Sequence, residues 1–280
     1  MRTIKLLLSY DGTAYHGWER QQNARTLQQT LEEAIGSLTC ETIHVAASGR
    51  TDAGVHAIGQ VASFHSSSRH DCDTIRRALN ALLPDDFRVL VAEDVHESFH
   101  ATYAAKGKLY RFVMHDGLAM EPCLREYAVH CAWTMNHAAM HQAAQCLAGK
   151  HDFSSFETAG APRASSTRTI THIAVFRAEP GRIWSRDQYA VGDQQSAISD
   201  QQWSSGLPPS ALRSPPFLFL EVAADGFLYN MVRAIAGTLI NVGRGYWPAE
   251  RVAEIVKAQD RTQAGPTAPA HGLFLVRVDY

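Results

Sequence analysis

The chain has 280 residues, 45% of them hydrophobic, a formal net charge of −2 and five cysteines; this is enough apolar material for one large domain or two ordinary ones and excludes a disordered chain. No apolar run approaches the ~20 residues that cross a bilayer, and the N-terminus enters a strand-like segment without a signal-peptide core, so a cytoplasmic protein is expected. Cys40, Cys72, Cys123, Cys131 and Cys146 form no C-x-x-C pair and are odd in number, which argues against a disulfide framework and a zinc site, and the near-neutral charge gives nucleic acid no overall basic field.

In chain order, Ile4, Leu6, Leu8 and Tyr10 alternate with Thr3, Lys5, Leu7 and Ser9, the period of a strand with one buried face. Thr26 caps a predicted helix whose apolar stripe is Leu27, Leu31, Ile35 and Leu38. Strands are predicted over 59–65 and 88–95, with a short helix over 73–83 ended by Pro84. This first half reads as βα followed by βαβ, as in ferredoxin-like sheets with helices on one face. The second half opens on a strand over 106–114 carrying Tyr110. A helix follows over 135–148, capped by Thr134 and stopped at Gly149. Strands over 171–178 and 217–223, an apolar helix over 228–239, a helix over 248–258 with proline in its first turn, and a strand over 273–278 complete the chain. The halves, 1–105 and 106–280, repeat a similar order of elements, which suggests a structural duplication. Residues 187–216, rich in Gln, Ser, Asp, Gly and Pro, cannot pack a core and read as an excursion between strands.

One segment carries chemistry more plainly than the rest. Ala47-Ser48-Gly49-Arg50-Thr51-Asp52-Ala53-Gly54-Val55, followed by His56 and Ala57, sets a carboxylate beside an arginine and between two glycines. It is too glycine-rich for a helix interior and too polar for a buried strand. Either the loop presents Asp52 as a nucleophile or base, kept ionised by Arg50, or Asp52 caps its own turn and Arg50 is solvated. Arg233, in an apolar helix, must snorkel to water or find an anion. Tyr110 is either a core aromatic or a platform for a nucleobase with a proton-relaying hydroxyl. Arg20, Arg25, Lys106, Lys108, Arg111, Arg163, Arg168 and Arg244 are candidates for a local phosphate-binding stripe. The fourteen histidines are scattered; only His137 and His141 share a helix face, and no acidic residue accompanies them in a metal-binding pattern.

Gly49 to Ala57 match, position for position, the catalytic loop of the tRNA pseudouridine synthase A family, Gly-Arg-Thr-Asp-Ala-Gly-Val-His-Ala. Further blocks agree in order and rough spacing: Tyr10-Asp11-Gly12-Thr13 with Tyr15-His16-Gly17-Trp18, Lys108-Leu109-Tyr110-Arg111-Phe112, His151-Asp152-Phe153-Ser154-Ser155-Phe156, Phe227-Leu228-Tyr229-Asn230-Met231-Val232-Arg233, and His271-Gly272-Leu273-Phe274-Leu275. The chain thus resembles that family along most of its length. The resemblance implies an α+β pseudouridine synthase fold, two ferredoxin-like (RRM-like) subdomains joined in one continuous, mostly antiparallel sheet. It implies a homodimeric isomerase, needing no cofactor or metal, that converts uridine to pseudouridine in the anticodon stem loop of tRNA at positions 38, 39 and 40. Asp52 would be its essential carboxylate, Arg233 the partner of Asp52, and Tyr110 the ring against the target uracil. Arg50 would help extrude the nucleotide, with Lys108, Arg111 and Arg168 also on the substrate side. Residues 187–216 exceed the shorter family connection, and Asn230 stands where the family commonly has histidine. A catalytically silent tRNA-binding module of the same fold and a hydrolase using Asp52 with a second carboxylate are the rival readings.

Overall fold

The computed structural model describes residues 1–158, 165–188 and 217–280. Arg163 and the predicted excursion from residue 189 to 216 lie outside the described residues. In chain order the elements are β1 (Arg2–Tyr10), α1 (Leu27–Thr39), β2 (Ala46–Ala47), β3 (His56–Ser66), α2 (Cys72–Leu82), β4 (Phe87–Val95), β5 (Gly107–His115), β6 (Val129–His130), α3 (His137–Gln145), β7 (Gly149–Asp152), β8 (Thr167–Arg177), β9 (Phe217–Ala224), α4 (Met231–Gly243), α5 (Arg251–Ala258) and β10 (Leu273–Asp279).

Local chemistry explains the boundaries. The alternation in β1 buries Ile4, Leu6, Leu8 and Tyr10 as predicted. Thr26 caps α1 by accepting a hydrogen bond from the Gln29 amide, and Asp71 caps α2 through the Thr74 amide. Three predicted helices start late. Asn136, not Thr134, caps α3, because its carbonyl accepts from the Ala139 amide; the helix ends at Gln145 and Gly149, at φ +94, turns the chain into the unpredicted strand β7. α4 begins at Met231 because Asn230 is left-handed, at φ 61. Pro248 lies ahead of α5 in a turn closed by the Arg251 amide on its carbonyl.

Among the described residues all strands join one mixed but mostly antiparallel sheet in the order β4-β1-β3-β10-β5-β9-β8-β7, with β2 beside β3 and β6 beside β5. The first half runs β4-β1-β3-β2 and the second β10-β5-β9-β8, with antiparallel neighbours within each run. The halves meet where β10 runs parallel to β3, through the pairs Phe274 with His56 and Leu275 with Ala57. A large core lies on one sheet face with Tyr110 and Phe112; a smaller one on the other holds Leu109, Val113, Phe176, Phe219 and Phe274. Strand β5 is therefore buried on both faces, and its period of two sends Tyr110 and Arg111 in opposite directions. Among the described residues no helix is long and apolar enough to cross a membrane.

Candidate active site

Beside the junction of the two halves opens a cleft of about 800 Å³, whose lining includes Arg50, Asp52, Lys108, Tyr110 and Phe227. Asp52 comes from the loop between β2 and β3, in the first half. Lys108 and Tyr110 come from β5 and Phe227 from the segment ahead of α4, in the second.

The loop is held from beneath by hydrogen bonds that its sequence neighbours do not supply. The Trp18 amide donates to the Thr51 carbonyl at 2.9 Å, and the hydroxyls of Tyr10 and Thr51 share a buried hydrogen bond of 2.9 Å. Gln60, fully buried on β3, donates to the Gly49 carbonyl at 2.9 Å and accepts from the Ser48 hydroxyl at 2.6 Å. The Gly12 amide nitrogen and an Asp11 carboxylate oxygen each lie 3.1 Å from Nδ1 of His56, and Nε2 of that ring donates to the Glu126 carbonyl at 2.8 Å. Two glycines are required by close approach: a Cβ on Gly12 would stand 2.1 Å from the Val55 carbonyl oxygen, and one on Gly17, at φ +90, 2.8 Å from that of Thr51. The blocks around Tyr10 and Trp18 are thus the floor of the Asp52 loop.

The Asp52 carboxylate faces the Arg233 guanidinium at 3.6 Å, with side-chain exposures of 31% and 18%. Burial pushes the Asp52 carboxyl above the ordinary carboxylate range, and the charge and hydrogen bond of Arg233 offset only part of that rise. The sequence reading credits Arg50 with keeping Asp52 ionised, and the structure corrects this: Arg50 is exposed at the rim and pairs with Glu19 at 2.5 Å. Tyr110 is nearly buried, its ring set edge-on to Phe227 with centroids 4.9 Å apart. Burial first, then the neighbouring Tyr10 and Asp52, push its hydroxyl above the ordinary phenol value, so it remains protonated at neutral pH. Lys108 lies over Gly49, its Nζ 2.7 Å from where a Cβ of that glycine would be, and burial lowers its pKa. Among the described residues neither the Lys108 amine nor the Tyr110 hydroxyl has a protein partner, so both are available to a ligand.

The remaining expectations divide. Arg111 is not in the cleft: it is fully buried on the opposite face of β5, where Nε and a terminal nitrogen both reach Glu221, at 2.9 and 2.7 Å. Its other donors serve the carbonyls of Arg182, Ile183, Ser185 and Asp187. With its charge compensated and its donors in use it is a structural residue, and its assignment to substrate binding is corrected. Arg168 stands beyond the cleft lining, next to Gly226, donating to the carbonyls of Ser165 and Thr167. Sequence reasoning missed Gln60 and the underlying role of Tyr10. A glutamine as the second residue of the strand predicted over 59–65 was the available signal, since a fully buried amide needs partners. Among the described residues no group of three or more His, Cys, Asp and Glu side chains is placed to hold a metal ion.

A carboxylate on a braced loop, set against an arginine and a protonated tyrosine, is an arrangement for nucleophilic or acid–base chemistry. A family model described as tRNA pseudouridine synthase matches residues 7–104 and 143–280. A tRNA pseudouridine synthase A of Acetivibrio thermocellus is 39% identical over 280 residues, spanning the whole of both chains. One of Thermoanaerobacter sp. strain X514 is 37% identical, again over the whole of both, and one of Chloroflexus aurantiacus is 40% identical over all of this chain and 89% of its own. The chain belongs to the tRNA pseudouridine synthase family.

Proposed function

We propose that the protein isomerises uridine to pseudouridine in the anticodon stem loop of tRNA, at positions 38, 39 and 40, with Asp52 as the essential carboxylate. The observation that carries this reading is the pairing of Asp52 with Arg233 at the cleft that Asp52 and Tyr110 line. In the reaction the N1–C1′ bond breaks, the uracil turns, and a C5–C1′ bond forms. The C5 proton leaves to water and N1 gains one, so atoms balance without redox change or a co-substrate. Asp52 serves this by attack on the sugar or base or by removing the 2′ proton, and either route needs the ionised form that Arg233 favours.

Tyr110 packs on the detached uracil, its hydroxyl free to pass a proton. Lys108 takes a phosphate beside the target nucleotide, and Arg50 exchanges Glu19 for RNA and fills the space of the extruded base. Arg168 meets the RNA outside the cleft. The repeated strand order supports reading 1–105 and 106–280 as two ferredoxin-like subdomains. A cytoplasmic setting accords with five free cysteines. A homodimer follows from the family resemblance, and sedimentation with and without tRNA tests it.

Wild type and Asp52→Asn are to be incubated with tRNA transcripts tritiated at uracil C5, tritium release measured, and modified positions mapped. Release by the wild type alone, at the anticodon stem loop, is the expected result. Tight tRNA binding without release by either would overturn the reading in favour of a silent binding module; free uracil would indicate hydrolysis.

A further inference from the structure

Asn230 occupies a costly conformation for a purpose other than capping. It precedes α4 at φ 61 and ψ 10, a left-handed backbone that asparagine tolerates better than most side chains, yet its amide makes no capping bond to the helix. The side-chain carbonyl instead accepts from a terminal nitrogen of Arg233 at 2.7 Å, and its NH₂ donates to the Thr158 hydroxyl at 3.0 Å. That Arg233 nitrogen is the one 3.6 Å from Asp52, while Nε of Arg233 donates to the Ala268 carbonyl at 2.7 Å. Two neutral acceptors thus aim the guanidinium without neutralising it, leaving Asp52 its one carboxylate partner among the described residues.

We propose that Asn230 is a positioning residue: its amide, fixed by Thr158, orients Arg233 so that the positive charge is delivered to Asp52. This rests on the reading of Asp52 as the reacting carboxylate. An acceptor without charge suits the task, because an anion at residue 230 would compete with Asp52 for the same guanidinium. The charged and titratable groups around Asp52 are Arg233 from α4, Lys108 and Tyr110 from β5, Tyr229 ahead of α4, and His16, Glu19 and Arg50 from the loops of the first half, with Tyr10 behind Thr51 and His271 close enough to feel the charge of Arg233. Substitution at residue 230 leaves each of them in place.

The test is the pH profile of tritium release by the full-length protein carrying Asn230→Gly, which keeps the left-handed backbone and removes the acceptor, or Asn230→Asp, which keeps an acceptor and adds charge. Expected for Asn230→Gly is a kcat about tenfold lower, a KM for tRNA within about twofold, and an acid limb moved to higher pH. Asn230→Asp moves that limb further. In an Arg233→Gln background Asn230→Gly has no additional effect on kcat, because it acts through that arginine. A wild-type acid limb in both variants, or additive losses in the double variant, would overturn the proposal. If Asn230→Gly does not fold, Asn230→Asp and Thr158→Val decide, the latter by a smaller shift in the same direction or by none. Asp52→Asn is measured alongside: activity in that variant sinks the underlying reading, whereas its inactivity with unaffected residue-230 variants sinks only this proposal.

Discussion

Replacing Gly12, which lies outside the cleft lining, by alanine is expected to perturb catalysis through Val55, which is part of that lining. The added Cβ would stand 2.1 Å from the carbonyl oxygen, 2.6 Å from the carbonyl carbon and 3.1 Å from the amide nitrogen of Val55. All three are backbone atoms, so no side-chain rotation relieves the clash, and the chain must shift by more than about 1 Å to regain van der Waals contact. Val55 donates its amide to the Asp52 carbonyl at 3.1 Å, so the displacement is passed directly to Asp52. The shift also strains the hydrogen bond from the Gly12 amide to His56. Overpacking of this kind costs about 1–3 kcal/mol of stability. A misplacement of about 1 Å at the reacting group costs roughly a hundredfold in rate. Single-turnover tritium release by folded Gly12→Ala, with the melting temperature measured in parallel, is expected to show that hundredfold loss beside a modest destabilisation. A kcat within about threefold of wild type in folded protein would refute the claim that the turn at Gly12 sets the position of Asp52.

Four more tests bear on the site. Arg233→Gln removes an attraction of about 4.6 kcal/mol at 3.6 Å and an effective dielectric near 20, which screening in the open cleft cuts to about 1.5 kcal/mol; about tenfold less ionised Asp52 is then expected at acid pH, seen as an acid limb displaced upward in the rate profile. Because burial raises the Asp52 pKa, the folded state holds that proton to higher pH than the unfolded chain, and stability is lost as pH rises from the ordinary carboxylate value through the raised one. Asp52→Asn should therefore match wild type in denaturant titrations below that window and exceed it above. Arg111→Met strips Glu221 of a buried arginine and the carbonyls of Arg182, Ile183 and Ser185 of their guanidinium donor, costing about 3 kcal/mol in urea titrations with the KM for tRNA unchanged well below the melting temperature. Lys108→Gln should lower the slope of log affinity against log salt for tRNA by about 0.7–0.9, the signature of one lost phosphate contact.

Much of the architecture was legible because burial and periodicity coincide: β1 alternates cleanly, and α1 carries both its cap and its stripe. The Asp52 loop was legible because glycines on either side of a charged pair leave few conformations but a turn. Legibility failed where adjacency in sequence was taken for adjacency in space. Arg50, two residues from Asp52, turns to Glu19, while the effective cation arrives from residue 233. Arg111 was grouped with Tyr110 although neighbours on a strand face opposite ways, and the strand period already contained the correction. The late start of α4 depends on a left-handed Asn230, which propensity does not reveal because its side chain is held by a tertiary contact with Thr158.

The parallel seam between β3 and β10 has a consequence for how the molecule can be cut and rejoined. Its backbones approach so closely that a Cβ on Gly59 would stand 2.1 Å from the Val276 carbonyl oxygen, and Asp52 and Arg233 come from the halves on its opposite sides. Each half carries one member of the ion pair, so on the proposed reading neither half alone assembles the site. A chain split between residues 105 and 106 would thus act as a reporter of its own reunion, with turnover appearing only as the two fragments register along that seam.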